Sequence, residues 1–217
     1  MLDILFEDKY IIAVKKEVGM VSEDTDSAYS IPYILRKETG TDIFTLHRLD
    51  KPVGGVIVYA KDKQSAAGFS KLIAENKLTK KYLAVIEGIP DNKEDRLCDL
   101  LFKDSRKNKT FVVSRMRKGV KEAALSYRCL DSNEKKSLIE VILETGRSHQ
   151  IRVQFASRRM PLCGDGKYGS RDNKCSIALF SHSISFVHPF TNQQVTIETA
   201  PDYTVYPWKL FRTENGM

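Results

Sequence analysis

Residues 47–55, HRLDKPVGG, place several reactive side chains beside residues that bend the chain. One proline and two glycines indicate a turn, and the apolar run that follows predicts a buried strand. Asp50 therefore lies in a turn at a strand edge, between Arg48 and Lys51, whose positive charges favour the ionised carboxylate. Such a carboxylate can be a nucleophile, a general base, a metal ligand or a salt-bridge partner.

A second reactive stretch is ETGRSHQIRVQF, residues 144–155. A glycine permits a tight turn, Ser148 is a plausible N-cap, and Arg147 comes just before the predicted helix that contains Arg152. A helix N-terminus preceded by an arginine favours anions, either a carboxylate or a phosphate. His149 has no second histidine or cysteine nearby, which is more typical of a hydrogen-bonded structural residue than of a ligand.

Residues 163–169, CGDGKYG, satisfy the pattern G-x-G-x-x-G. A dinucleotide-binding fingerprint belongs in the first strand–helix unit and opens an apolar helix, whereas this stretch is late and precedes the polar run SRDNK. We therefore interpret it as a glycine-rich turn that carries Asp165 and Tyr168, and not as a nucleotide site.

The stretch KKYLAVIEG, residues 80–88, begins a predicted strand with Tyr82 directly after Lys80 and Lys81. An aromatic residue at such a place is usually part of a sheet. Aromatic rings beside basic residues are also how proteins stack exposed bases of RNA. Both interpretations stay open from this stretch alone.

Composition limits the class of protein. The chain has 217 residues, of which 41% are hydrophobic, so it can bury a sizeable core. It contains no apolar run of membrane-spanning length and no signal peptide pattern at its start, which predicts a cytoplasmic protein without membrane contact. The four cysteines form no C-x-x-C pair, so we expect reduced, buried thiols, with a structural zinc as the alternative.

Positive charge is concentrated in residues 103–121, KDSRKNKTFVVSRMRKGVK. Asp104 is the single acidic residue of this basic segment. The formal net charge of the chain is +7, and the segment's local excess accounts for it. A basic excess confined to one stretch is a plausible footprint for phosphates, the alternative being a solvated basic loop. The basic residues are Lys103, Arg106, Lys107, Lys109, Arg115, Arg117, Lys118 and Lys121.

The remaining patterns define the elements that must position these residues. Eight β-rich runs are predicted, at 10–14, 56–60, 82–88, 110–114, 124–130, 137–144, 177–187 and 193–198. Three helices are predicted, in SIPYILRKETG, KQSAAGFSKLIAENKL and HQIRVQFASRR. Strands outnumber helices without strict alternation, which predicts an α+β fold with a mixed, mainly antiparallel sheet core and flanking helices. The basic segment is expected to form a hairpin or insertion on this core.

In this order, the stretches resemble the RluA family of pseudouridine synthases. HRLDKPVGGVIVYAKD resembles the family signature H-R-L-D-x-x-T-S-G, and TGRSHQIRVQFA is similar to G-R-T-H-Q-I-R-V-H. LFEDKYIIAVKKEVGMVS, KKYLAVIEG, PLCGDGKYG and SHSISFVHPFT resemble its other segments, so the similarity runs from about residue 2 to residue 198. Val53 and Gly54 replace Thr-Ser, Gln154 replaces the usual His, and the opening motif around Lys16 lacks its Pro.

The resemblance implies one catalytic domain over residues 1–217, without an S4-type RNA-binding domain, that isomerises uridine to pseudouridine in ribosomal or transfer RNA. It implies neither cofactor nor metal, and we expect a monomer. The catalytic residues would be Asp50 as the essential carboxylate, Tyr82 stacking on the uracil, and Arg147 pairing with Asp50.

Substrate binding is expected from a wider set of residues. Ile151 would contact the base, and Arg48 would fill the gap left by a flipped nucleotide. The other expected substrate-binding residues are His47, Lys80, Lys81, Arg115, Arg117 and Lys118. The alternatives are a non-catalytic RNA-binding protein or RNA chaperone on the same fold, and an unrelated hydrolase that uses Asp50 and His47.

Overall fold

A computed structural model describes residues 2–211 as two compact units. The first comprises residues up to Lys81 together with Phe180–Pro201, and the second comprises Tyr82–Leu179 with residues from Asp202 onward. Strand β5, Leu78–Glu87, runs across the division in the chain. No helix in the described part of the chain is long and apolar enough to cross a bilayer.

The first unit contains six further strands and two helices. The strands are β1 (Asp3–Glu7), β2 (Ile11–Lys16), β3 (Phe44–Thr45), β4 (Gly54–Ala60), β10 (Leu179–Val187) and β11 (Gln194–Glu198). The helices are α1 (Ile31–Thr39) and α2 (Lys63–Ala74). Their order across the sheet is β1-β2-β4-β10, with β11 on β10 and β3 on β4.

Most strand pairs of the first unit are antiparallel, and β4 with β10 is parallel. The helix ends follow from local sequence. The Ser30 side chain caps α1 by accepting the Tyr33 N–H, and Asp62 caps α2 by accepting the Ser65 N–H at 2.7 Å. The core joins apolar faces of β2, β4, α2, β10 and β11, and its fully or nearly buried residues are Ile11, Ala13, Val56, Val58, Phe69, Leu72, Leu78, Ile184, Phe186 and Ile197.

The second unit contains strands β6 (Glu94–Asp104), β7 (Lys109–Val113), β8 (Val120–Ser132) and β9 (Lys136–Leu143) and helix α3 (Gln150–Ser157). Two short 3-10 helices cover Gly166–Tyr168 and Trp208–Phe211. The strand order is β5-β9-β8-β6-β7, and the β6–β7, β6–β8 and β8–β9 pairs are antiparallel. A cluster of Leu101, Ala123, Val153 and Tyr168 joins β6 and β8 to α3 and to the 3-10 turn.

The predicted fold class is confirmed, since the sheet is mixed and mainly antiparallel and three α-helices flank it. Every predicted helix and strand is present, with end shifts of a few residues. The expectation of four buried thiols is wrong. Cys163 is buried, whereas Cys98 is exposed and Cys129 and Cys175 are partly exposed. Cys98 directly follows the buried Leu97 in β6, so its side chain lies on the opposite, exposed face of the strand.

Candidate active site

Asp50 lies in the turn that precedes β4, as the sequence predicts. The turn is closed by the Val53 N–H, which donates to the Asp50 carbonyl at 2.9 Å. On its N-terminal side, the Ser22 hydroxyl donates to the Leu49 carbonyl at 3.0 Å and ties the HRLD stretch to the segment after β2. Asp50 itself is half-buried. Hydrogen bonds thus fix the backbone on both sides of the Asp50 carboxylate, at Leu49 and at Val53.

Lys16, at the end of β2, is the main support of this turn. Its side chain is completely buried, and its ammonium donates to the carbonyls of Val53 at 2.7 Å, Lys51 at 3.1 Å and Glu17 at 3.2 Å. Burial lowers the pKa of Lys16 to about 8, and the negative charges of Asp50 and Glu17 oppose that shift. Lys16 thus fixes the Asp50 turn by two hydrogen bonds, to Lys51 and Val53. It binds its neighbour Glu17 by a third and places a positive charge close to the Asp50 carboxylate.

His47 is held as a neutral imidazole. Its Nε2 accepts the backbone N–H of Val58 at 3.2 Å, so its proton is on Nδ1. That Nδ1 is buried and has no hydrogen-bond partner among residues 2–211. Burial, together with the nearby charge of Lys80, lowers the pKa of His47 to about 3. A ring with one nitrogen engaged and so low a pKa is suited to positioning, and it is a poor general base at neutral pH.

Arg48, by contrast, points to solvent. It forms an ion pair with Glu23, and the two side chains are 58% and 56% exposed. Such an exposed pair contributes about 1 kcal/mol at most to folding, so Arg48 can leave Glu23 at small cost.

Lys80 and Lys81, at the start of β5, are both half-buried. Burial lowers the pKa of Lys80. The two lysines and the HRLD stretch belong to the same unit.

In the second unit, Tyr82 is buried in β5 with 6% of its surface exposed. Arg147 is exposed and lies in the turn between β9 and α3. Its Nε donates to the Glu122 carbonyl of β8 at 2.9 Å, and its backbone N–H donates to the side-chain oxygen of Gln150 at 3.0 Å. Gln150 in turn donates to the Ala124 carbonyl at 3.0 Å. The turn that carries Arg147 is therefore fixed on β8.

Helix α3 begins differently from the sequence prediction. The N-cap position is His149, whose φ of 53° is left-handed, so the prediction that Ser148 caps the helix is wrong. In the described part of the chain, no side chain caps this helix. The Ser148 carbonyl instead accepts the Thr110 hydroxyl of β7 at 2.9 Å. Ile151 is buried in the first turn of α3, with 3% of its surface exposed. The predicted contact of Ile151 with the base stays a prediction.

Asp165 of the glycine-rich turn forms a buried, two-pronged ion pair with Arg152 of α3. Arg152 Nε and a terminal nitrogen donate to the two carboxylate oxygens at 2.7 and 2.9 Å. The guanidinium lies 5.1 Å from the ring centroid of Tyr168. The pattern G-x-G-x-x-G thus closes a tight turn around a structural ion pair. Sequence reasoning did not pair these two residues, although each stood in a motif.

The basic segment 103–121 contains the end of β6, the turn 105–108, β7 and the loop 114–119. β6 and β7 form an antiparallel hairpin in which Asp104 opposes Lys109. The three expected RNA contacts of the loop, Arg115, Arg117 and Lys118, are all exposed. The Arg117 guanidinium lies 5.1 Å from the Phe102 ring centroid, which supports its stem on the hairpin.

The model of a known family, described as RNA pseudouridylate synthase, matches residues 10–157 of this sequence. This match covers the Asp50 turn, Tyr82, the hairpin and the Arg147 turn. The chain belongs to that family. The resemblance to pseudouridine synthases that the sequence motifs indicated is confirmed, and with it the expected class of enzyme, an isomerase.

Individual relatives agree with this membership. The chain is 30% identical to a tRNA pseudouridine synthase C of Vibrio parahaemolyticus, over 94% of this chain and 92% of the relative. It is 31% identical to an uncharacterized RNA pseudouridine synthase of Bacillus subtilis, over 91% of this chain and 68% of the relative. A solved structure of human RNA pseudouridylate synthase domain containing 1 shares the fold, with a TM-score of 0.79 at 21% identity over 96% of this chain and 86% of that one.

Proposed function

We propose that this protein isomerises uridine to pseudouridine in RNA, and that transfer RNA is the first substrate class to test. The observation that carries the proposal is the Asp50 turn, a carboxylate on a backbone to which a fully buried lysine donates two hydrogen bonds. A family that isomerises uridine needs one such group held in place. Transfer RNA comes first because relatives that match over nearly their full length are named tRNA pseudouridine synthase C.

In the proposed reaction the bond between N1 of uracil and C1′ of ribose breaks, the uracil turns, and C5 becomes bonded to C1′. The proton of C5 leaves to solvent and N1 gains one, so the nucleotide keeps its composition. No electrons are exchanged with a partner. Asp50 has three routes to assist, namely attack on the ribose, attack on the uracil, or removal of a ribose proton. All three require its ionised form.

The other residues have roles that follow from their chemistry. Arg147 is proposed as the cation that keeps Asp50 ionised and oriented. Tyr82 is proposed to stack on the uracil and to help move the C5 proton, with Ile151 as an apolar contact for the base. Arg48 is proposed to leave Glu23 and fill the gap of the flipped nucleotide, at a cost for flipping of a few kcal/mol. Lys80, Lys81 and the basic segment are proposed to bind phosphates.

Release of tritium from C5 of uridine tests the proposal directly. Transfer and ribosomal RNA transcripts labelled at that carbon are incubated with the purified protein, without added cofactor or metal. We expect release from at least one transcript pool. RNA that is bound without any release would instead support an RNA-binding protein or chaperone on this fold, and free uracil among the products would indicate a hydrolase.

Asp50→Asn is expected to reduce the rate of tritium release by at least about 1,000-fold, within the range of about 100- to 10,000-fold that one proton-transferring group contributes. RNA affinity should stay within about threefold of wild type, because the amide keeps the size of the side chain. Asp42→Asn, at an exposed position of the same unit, is the matched control and should keep full activity. Near-normal turnover by Asp50→Asn would remove the catalytic assignment.

A further inference from the structure

Two residues outside the expected catalytic set, His149 and Tyr168, connect the start of strand β7 to the turn that carries Arg147. The Tyr168 hydroxyl accepts the backbone N–H of Thr110 at 2.9 Å and lies 2.8 Å from His149 Nδ1. Burial raises the pKa of Tyr168, so the phenol keeps its proton at neutral pH. The hydroxyl can therefore accept one hydrogen bond from β7 while it donates another to the histidine.

A second bond runs in parallel with the first. The Thr110 hydroxyl donates to the Ser148 carbonyl at 2.9 Å. Both residues that follow Arg147 are thus connected to Thr110. Ser148 is bound directly through its carbonyl, and His149 is bound through the hydroxyl of Tyr168. Thr110 and Tyr168 are buried, so solvent competes little for these bonds.

The backbone of His149 gives independent support. Its φ of 53° and ψ of 24° are left-handed, a conformation that few residues other than glycine adopt. Such a conformation persists where the surroundings enforce it. Here the imidazole is held by Tyr168, with the two rings packed edge to face at a centroid distance of 5.7 Å.

The same glycine-rich turn also supports the hairpin that contains β7. Lys167 donates to the Asn108 carbonyl, in the turn between β6 and β7, at 3.1 Å. The Lys109 ammonium lies 5.1 Å from the Tyr168 ring centroid. The basic hairpin and the Arg147 turn are therefore joined by two short paths of hydrogen bonds, one through Tyr168 and one directly from Thr110 to Ser148.

We propose that Tyr168 and His149 are positioning residues for Arg147, which they hold in register with the basic hairpin. Glu122 and Ala124 fix one side of the Arg147 turn on β8. Thr110 of β7 fixes the other side, through Tyr168 and His149 and also by its direct bond to the Ser148 carbonyl. When the hairpin binds RNA phosphates, strand β7 is fixed relative to the RNA. The hydrogen bonds from Thr110 then fix the Arg147 turn relative to the RNA as well. This inference rests on the proposed function, because it assigns a role relative to Arg147.

The test compares the removal of one hydroxyl at two buried tyrosines. Tyr168→Phe keeps the ring and loses the bridge, and we expect kcat for tritium release to fall by about 5- to 10-fold, the effect of one hydrogen bond, with KM changed less than twofold. Tyr127→Phe is the matched control, since its hydroxyl donates to the Asn92 carbonyl at 3.1 Å in the same unit. The control should lower stability to a similar extent and leave kcat unchanged.

Substitution of the histidine supplies a rescue. His149→Asn places Oδ1 where Nδ1 accepts, and asparagine tolerates a left-handed backbone. We expect it to keep kcat within about threefold of wild type. His149→Leu has no acceptor at that place and should match Tyr168→Phe. An asparagine variant as impaired as the leucine variant would contradict the proposed role of the acceptor.

Hydrogen exchange of the backbone amides of residues 147–150 gives a second readout that needs no activity. Tyr168→Phe should accelerate their exchange, and Tyr127→Phe should not. Equal exchange and equal kcat in the two tyrosine variants would overturn the inference while wild-type turnover left the proposed function intact. If wild type releases no tritium from any RNA, the proposed function fails, and the exchange data still decide whether the two residues hold the turn.

Discussion

The surroundings of His47 disfavour a protonated imidazole, because they lower its pKa to about 3. Protonation would place a hydrogen on Nε2, which faces the N–H of Val58, and a charge near Lys80. His47 therefore connects the HRLD stretch to β4 through its hydrogen bond with Val58. Any contact that it makes with RNA would be made by the neutral ring. The buried Nδ1, which has no hydrogen-bond partner among residues 2–211, adds the energetic cost of one unmade hydrogen bond.

His47 predicts a pH dependence of stability. Its pKa in the folded protein, about 3, is below the ordinary value of 6.5, so between these limits the unfolded chain binds more protons. The contribution of a neutral His47 is therefore present above pH 6.5 and is lost as the pH falls through that window. Between pH 7 and pH 5 this linkage costs about 2 kcal/mol, so Tm of wild type should fall by about 4 to 8 °C more than that of His47→Gln. Parallel Tm curves for the two proteins, measured by thermal unfolding, would contradict this assignment.

Residue types and spacing predicted where Asp50, Tyr82 and Arg147 lie along the elements, because each stands beside a glycine, a proline or a strand start. They did not predict the supports. In the sequence, Lys16 is an ordinary charged residue at the end of a strand. In the structure, its ammonium donates to three carbonyls, of residues 17, 51 and 53. The partnership of Arg152 with Asp165 likewise depends on chain segments that only the fold brings together.

At the level of elements, the spacing of apolar residues and the positions of glycine and proline were sufficient to predict the helices and most strands. Strand β6 was missed because EDRLCDLLFKD has six charged residues among its eleven, and its two buried leucines stand four residues apart. This pattern is typical of a loop or a helix, and pairing with β7 and β8 overrides it. The left-handed entry into α3 was also unpredictable, since the bonds that enforce it come from β7 and the glycine-rich turn.

The pairing of β4 with β10 depends on Gly55, the last residue of HRLDKPVGG. Its φ is +111°, and a Cβ there would lie 2.1 Å from the Ser181 carbonyl oxygen, too close for any side chain. Gly55→Ala must push β10 away from β4, and we expect a loss of more than about 3 kcal/mol in the free energy of unfolding.

Gly40→Ala is the matched control for this substitution. Gly40 also has a positive φ, of +68°, but no heavy atom of residues 2–211 outside its immediate neighbours lies within 4 Å of the position that a Cβ would take. It should lose only about 1 kcal/mol, the cost of the backbone conformation. Chemical denaturation measures both values, and similar losses in the two variants would show that the close approach of β4 and β10 is not limiting.

For the whole molecule, the net charge of +7 and its concentration in one segment are properties that sequence alone establishes. The structure adds that Arg115, Arg117 and Lys118 are exposed on the loop 114–119, where phosphates can reach them. The expectations of a cytoplasmic location, a monomer and a single catalytic domain stay predictions.

The charge distribution predicts which cations set the salt dependence of RNA binding. Each phosphate contact contributes roughly 0.7 to 0.9 to the slope of log affinity against log salt concentration. Neutralising Arg115, Arg117 and Lys118 together should therefore weaken binding at low salt and reduce that slope by about 2 to 3. The measurement is a binding titration with the same RNA at several salt concentrations.

A second triple variant separates local contacts from total charge. Neutralising Lys9, Lys63 and Lys71, which are exposed in the first unit, lowers the net charge by the same three. If phosphates bind the loop 114–119, this variant should keep a slope close to that of wild type, because it removes none of the charges that contact those phosphates. Equal slopes for the two triple variants would mean that RNA responds to net charge, and the loop would lose its assignment as the phosphate footprint.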